Sequence, residues 1–171
     1  MNIKKAMGIN LRKYGGSHLP VLIKIAAITN GPILELGGGI FSTPFLHGAC
    51  FASKRELVTY ENDLNCFDIV KQYACDFHKV GFVENWDGIS IERSWDLAFI
   101  DHAPGERRKK EIARLANLAK YVVVHDTEKR QEHVYGLEEI YPLFKYRYDF
   151  RELSPHTSIL SNFVDLKDFK V

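Results

Sequence analysis

Cysteine is scarce in this sequence: Cys50, Cys66 and Cys75 are its only three. An odd number with no CxxC spacing excludes a disulfide scaffold and gives no zinc motif. The three read as reduced core thiols of a cytosolic protein. An excess of either charge is also missing. The 23 Lys and Arg against 22 Asp and Glu leave a net charge of +1. That is no field to draw nucleic acid or an anionic membrane. No apolar run approaches the roughly 20 residues that cross a bilayer. The basic start, residues 1–13, lacks the apolar core of a signal peptide. Repeats, low-complexity tracts and linkers are absent, so the 171 residues are expected to form one domain with a sizeable core. Nothing in the sequence sets an oligomeric state.

What is present centres on Ile33-Leu34-Glu35-Leu36-Gly37-Gly38-Gly39 and the Ile40-Phe41-Ser42-Thr43-Pro44 that follows. A short apolar run bounded by Pro32 and glycines reads as a buried parallel strand. Glycines leaving it permit positive φ and let a ligand touch bare backbone, so a Cβ at Gly37 or Gly39 is expected to fill the ligand's space. Thr43 before Pro44 reads as an N-cap followed by the first helical residue. Strand, glycine turn and helix start together make a nucleotide or anion cradle.

In order along the chain, a basic lead ends at Tyr14-Gly15-Gly16, and Ser17 is expected to cap a helix over 19–29. Tyr14, Ser17 and His18 are candidates for a lid, with residues 1–31 forming an N-terminal lead and helix. A helix over 44–52 follows the glycines. A strand over 56–60 then ends on Glu61. Asp63 caps a helix expected to turn Leu64, Phe67, Ile69, Val70 and Tyr73 inward. Strands over 79–83 and 96–100 end at Glu84-Asn85-Trp86-Asp87-Gly88 and at Asp101-His102. A helix over 106–119 begins with Arg107-Arg108-Lys109-Lys110, where basic residues oppose the helix dipole and need another explanation. A strand over 121–124 ends on His125-Asp126-Thr127-Glu128. A helix over 134–144 and strands over 146–151 and 157–166 complete the chain. Five βα units and a closing hairpin predict an α/β fold: a doubly wound, seven-stranded, mostly parallel sheet, last strand antiparallel, helices on both faces. Ligands bind beyond the carboxyl ends of such strands, and the polar clusters fall there.

At those residues the sequence resembles the class I S-adenosylmethionine-dependent methyltransferases. The acid two before the first glycine matches their first motif, and the order of elements matches over nearly the whole chain. The resemblance implies methyl transfer with S-adenosylmethionine as cofactor. Glu35, Gly37, Gly38, Gly39 and Thr43 would form the amino-acid end of its site, and Glu61 with Asn62 the ribose end. Asn85, Trp86 and Asp87 would border the adenine, and Asp101 would close the crevice. The family's third glycine falls at Phe41, a departure that bears on cofactor fit. The second half is similar to catechol-type and related small O-methyltransferases, implying a small-molecule acceptor, a hydroxyl.

In those enzymes carboxylates at two strand ends bind Mg²⁺, and Asp101 and Asp126 occupy the matching places. Thr127 stands where their third ligand is commonly asparagine, and their base lysine falls near Pro104. The reading favoured here is therefore metal-free, with chelator inert. His102 or His125 acts as base, oriented by Asp101 or Asp126. The expected couples cross the strand ends, His102 with Asp126 or His125 with Asp101, because strand neighbours point to opposite faces. Arg107 and Arg108 are candidates to face an anionic acceptor. Two alternatives remain. Gly37, Gly39 and Glu61 partly fit a nicotinamide dehydrogenase, with Ser42 at the third glycine. A non-catalytic S-adenosylmethionine-binding module fits the absent lysine.

Overall fold

The computed structural model describes residues 16–171. Its strands are β1 (Ile33–Leu36), β2 (Leu57–Glu61), β3 (His78–Phe82), β4 (Trp95–Ile100), β5 (Ala119–His125), β6 (Tyr146–Phe150) and β7 (Thr157–Ser161). The helices are α1 (Leu19–Ile28), α2 (Ser42–Ser53), α3 (Leu64–Val70), α4 (Arg108–Leu115) and α5 (Lys129–Tyr135). One sheet runs in the order β3-β2-β1-β4-β5-β7-β6. The first five strands pair in parallel, and β7 is antiparallel to both β5 and β6. Strand order reverses between β1 and β4, which opens a crevice at their carboxyl ends.

Both faces of the sheet are covered, which is why its central strands are largely apolar on both faces rather than alternating, with Glu35 the buried exception in β1. In β4, Ala98 and Ile100 pack on one face with Leu34, Leu36, Val122 and Val124, under Ile112 and Leu115 of α4. Leu97 and Phe99 pack on the other with Ile33, Leu57 and Val123, under Val21, Leu22 and Ile25 of α1. Each such fully buried Leu, Ile, Val or Phe side chain contributes about 1.5–3 kcal/mol. Together they fix the level at which β1 and β4 end.

Several local expectations change in the fold. No α-helix follows β3 among the described residues. A 3-10 turn at Trp86–Gly88 takes its place, and Trp86, Ile91 and Trp95 cover that face. The α2 helix begins at Ser42 with Phe41 in the cap position, so Thr43 and Pro44 are its second and third residues and Thr43 is no N-cap. In α1 the cap position is His18, and the Ser17 hydroxyl is engaged elsewhere. Asp63 does cap α3, accepting from the amides of Asn65 and Cys66. Of that helix's apolar residues only Val70 is buried, and Leu64 is 65% exposed. The α5 helix stops early because Gly136 takes φ 65°, the left-handed turn that ends helices. Only Cys50 is a core thiol; Cys66 is half-buried and Cys75 exposed. No helix among the described residues is long and apolar enough to cross a membrane.

Candidate functional site

The glycine turn is held from below by the acid that precedes it. Thr43 accepts from the Gly39 amide at 3.0 Å and donates to Glu35 Oε2 at 2.9 Å. Thr59 on β2 donates to the same oxygen at 2.7 Å. Glu35 is fully buried, and its Oε1 has no partner among the described residues. Burial pushes this carboxyl up to about 7, against the lowering influence of the nearby Ser42, Thr59 and Thr43 hydroxyls. Gly37 has φ 94°, and a Cβ there would stand 2.4 Å from the His102 amide nitrogen, so backbone packing against the end of β4 requires this glycine. That corrects the sequence expectation for Gly37. At Gly39 a Cβ would meet only Ser42 Oγ at 3.8 Å, on the side of open space.

That space is a cavity of about 730 Å³ at the switch point, lined by Gly37, Gly38, Gly39, Glu61, Asp101, His125 and Asp126 among others. The volume falls in the range of small-molecule and cofactor sites, about 300–1,000 Å³. Glu61 is buried at its rim, its Oε1 accepting from the amides of Asn62 at 2.7 Å and Asp63 at 2.6 Å. Burial raises the Glu61 carboxyl above its ordinary value, and those amides oppose the rise. Phe41, half-buried, joins the lining with Gly16, Ser17 and His18.

The opposite wall is built on Arg108, which is 5% exposed. Its guanidinium donates to the carbonyls of His102 at 2.8 Å, His125 at 3.0 Å and Asp101 at 3.0 Å. It also pairs with Asp101 Oδ1 at 3.0 Å and Asp126 Oδ2 at 3.3 Å. Here is the use of basic residues at the start of α4: one arginine ties the ends of β4 and β5 together. Arg107 pairs with Asp87 and Glu111 instead.

His125 Nδ1 lies 3.2 Å from Asp101 Oδ2, one of the two couples expected across the strand ends. Its Nε2 lies 3.0 Å from Ser17 Oγ, which donates to the Pro155 carbonyl at 2.6 Å. Asp126 has φ 58°, an uncommon left-handed conformation that breaks the strand alternation. Its Oδ1 therefore comes within 3.6 Å of His125 Nδ1, contrary to the opposite-face expectation. Burial lowers the His125 imidazole, but the Asp101 bond and the charges of Asp101 and Asp126 carry it above its ordinary value. Burial would raise Asp101, and His125 with Arg108 hold it below its usual range. Asp126 is raised by burial. His18, stacked edge-on to His125 at 4.7 Å, is held down at about 4 by burial and by His125.

Other candidates lie apart from this cluster. The His102 ring is fully buried, stacked on Trp86 at 4.1 Å with Nε2 3.4 Å from Glu111. Trp86 donates to the Ala103 carbonyl and packs on His102 rather than lining the cavity. Asn85 is exposed and caps the 3-10 turn, and exposed Asp87 meets Arg107. Asn62 is half-buried beside Glu61, and Thr43 lies under the turn. A Mg²⁺ between Asp101 and Asp126 does not fit, because the Arg108 guanidinium stands between those carboxylates. Tyr14 lies outside the described residues. Arg108 was signalled in the sequence only by its dipole-opposing position. The pairing of Ser17 and His18 with His125 had no sequence signal.

No protein-family model matches the chain, and no curated protein matches its sequence. Solved structures do match its fold. Cofactor-bound Rv0187 from MTB aligns at TM-score 0.66 and 18% identity, over 88% of this chain and 81% of that one. The N-terminal domain of human METTL16 in complex with SAH aligns at 0.60 and 14%, over 86% and 70%. The hMettl16 catalytic domain in complex with a MAT2A 3'UTR hairpin aligns at 0.61 and 14%, over 87% and 70%. At such identities the likeness is one of fold: this chain has the Rossmann-like fold of the class I S-adenosylmethionine-dependent methyltransferases.

Proposed function

We propose that the chain is an S-adenosylmethionine-dependent methyltransferase that methylates a hydroxyl of a small-molecule acceptor. The observation that carries this reading is one cavity with two unlike walls: the pinned glycine turn and Glu61 on one side, the His125–Asp101 couple on the other. The turn, with open space at Gly39 and Glu35 bracing it from beneath, would hold the amino-acid end of the cofactor, and Glu61 its ribose hydroxyls. When bound, the sulfonium supplies an already activated methyl group. The protein then has to align the acceptor and remove its proton. Ser17 gives its only proton to Pro155 and so accepts from His125 Nε2. The seat for the acceptor's proton is accordingly the gap between His125 Nδ1 and Asp101 Oδ2. A fold neighbour bound to an RNA hairpin raises a polyanionic acceptor as the other class. The near-equal 23 basic and 22 acidic residues here favour a small one.

Calorimetry with S-adenosylmethionine, its demethylated product and NAD tests the reading. The first two should bind, NAD should not, and Gly39→Val should abolish binding while the far-ultraviolet spectrum stays unchanged. NAD binding alone, or cofactor affinity untouched by Gly39→Val, would sink it. Methyl transfer to any acceptor separates the enzyme from a non-catalytic binding module.

A further inference from the structure

We infer that His18, Asp101 and His125 form a binding site for a divalent first-row transition ion. One ligand atom from each lies within 4.8 Å of the others, and all three residues line the cavity. Hydrogen-bond accounting makes the site specific. With Nε2–H of His125 committed to Ser17, the Nδ1 lone pair points at Asp101 Oδ2, 3.2 Å away. A lone pair and a carboxylate oxygen at that distance require a cation between them. A proton can serve, but it leaves His18 unexplained. His18 is only 5% exposed, and neither of its ring nitrogens has a partner among the described residues. An unpartnered buried imidazole is costly, and a metal ion beside it removes that cost.

The donor set selects the ion. Two imidazoles and one carboxylate suit zinc, cobalt, manganese or iron, whereas Mg²⁺ and Ca²⁺ prefer oxygen alone. Bonds of about 2.0–2.2 Å place tetrahedral ligand atoms roughly 3.4 Å apart. The His125–Asp101 pair is already near that spacing, and His18, within 4.8 Å of both, has at most about 1.4 Å to close. The Ser17 bond to the far nitrogen of His125 is the kind of partner that orients a metal-bound imidazole. Three protein ligands leave a coordination position facing the cavity, as in catalytic rather than structural sites. An oxygen acceptor bound there would be acidified, with the ion in the seat otherwise taken by the proton. That last consequence rests on the methyl-transfer reading; the site does not.

The test uses tag-free full-length protein stripped with chelator and then titrated with Zn²⁺ by calorimetry and with Co²⁺ by visible absorption. One equivalent should bind, with Co²⁺ bands of low-symmetry nitrogen and oxygen coordination. His18→Gln and Asp101→Asn, which remove ligands outright, should each weaken binding by more than the roughly tenfold to hundredfold that loss of an outer-shell partner costs. His133→Ala, which removes an exposed imidazole elsewhere, should change nothing. Should either site variant fail to fold, Ser17→Ala with its spectrum compared to wild type replaces it and should still weaken binding. Absence of a stoichiometric site, or binding indifferent to His18→Gln, overturns the inference. Ion binding without affinity for S-adenosylhomocysteine would retain the site and remove the methyl-transfer reading; the converse would do the reverse.

Discussion

On the β1–β2 side of the cavity the chain holds its polar groups with near neighbours. Gly39 bonds Thr43 four residues on, Thr43 bonds Glu35 eight residues back, and Glu61 takes the amides of the next two residues. On the β4–β5 side the partners are distant. Ser17 reaches His125 across 108 positions and Pro155 across 138, and Arg108 joins carbonyls and carboxylates from two strands. The first wall is mostly a local motif, tied to its neighbours by the Thr59 bond to Glu35 and by the packing of Gly37 on the end of β4. The second exists only when α1, α4, β4 and β5 are all docked, and it stores unlike charges out of water.

That contrast is sharpest at Arg108. Removing it leaves the half-buried Asp101 and Asp126 without their counter-charge and three carbonyls without their donor, so Arg108→Ala should cost about 3–5 kcal/mol in denaturant unfolding. Arg108→Lys should recover little, because an ammonium cannot fork to three carbonyls and two carboxylates. A loss under about 1 kcal/mol would mean the distant wall is not held as described.

The near wall stores its cost in one acid. Glu35 is held at about 7 in the folded protein against an ordinary 4.5. A raised carboxyl favours the folded state fully below the ordinary value, and that contribution is lost as pH rises through the folded one. The shift corresponds to about 3 kcal/mol. Glu35→Gln should therefore match wild type near pH 4 and exceed its stability by up to about 3 kcal/mol near pH 8, in cofactor-free protein. His18 and His78, both lowered to about 4, titrate in the opposite sense over the same window. His18 cancels in the difference between variant and wild type, whereas His78, bonded to Thr59 and through it to Glu35, is coupled to the substituted site. A difference that does not grow with pH would count against the burial account.

Glu61 tests whether the local wall binds or merely folds. A charge-assisted hydrogen bond to a ribose hydroxyl is worth roughly 1.5–3 kcal/mol, so Glu61→Ala should weaken S-adenosylhomocysteine at least about tenfold to a hundredfold. An affinity unchanged within about twofold would leave Glu61 as an anchor for its loop. The smallest effect is at His125. In chelator-stripped protein its NMR titration midpoint should lie above the ordinary 6.5, and Asp101→Asn should bring it down. The raised value means the imidazolium is retained to higher pH, so its stabilising pairing is lost only as pH climbs through that midpoint. A wild-type midpoint below 6.5 would show that burial outweighs Asp101.

The fold class, the glycine turn, the acid ending β2 and the polar ends of β4 and β5 were legible in residue order. Apolar runs, glycines and strand-end acids act through bonds of short range. Element boundaries were less so: the pattern ran α4 into Ala119, ran α5 over 134–144, straight across Gly136, and put a helix cap at Thr43. Packing and a single left-handed glycine overrode propensity there. What waited for the folded chain was the company each charge keeps. His102 and His125 look equivalent in sequence, each beside an aspartate at a strand end. Docking buries one against Trp86 and Glu111 and turns the other to Ser17, His18 and Asp101. No local rule separates them, because a buried imidazole takes its role from whichever distant segments the sheet brings within 3 to 4 Å.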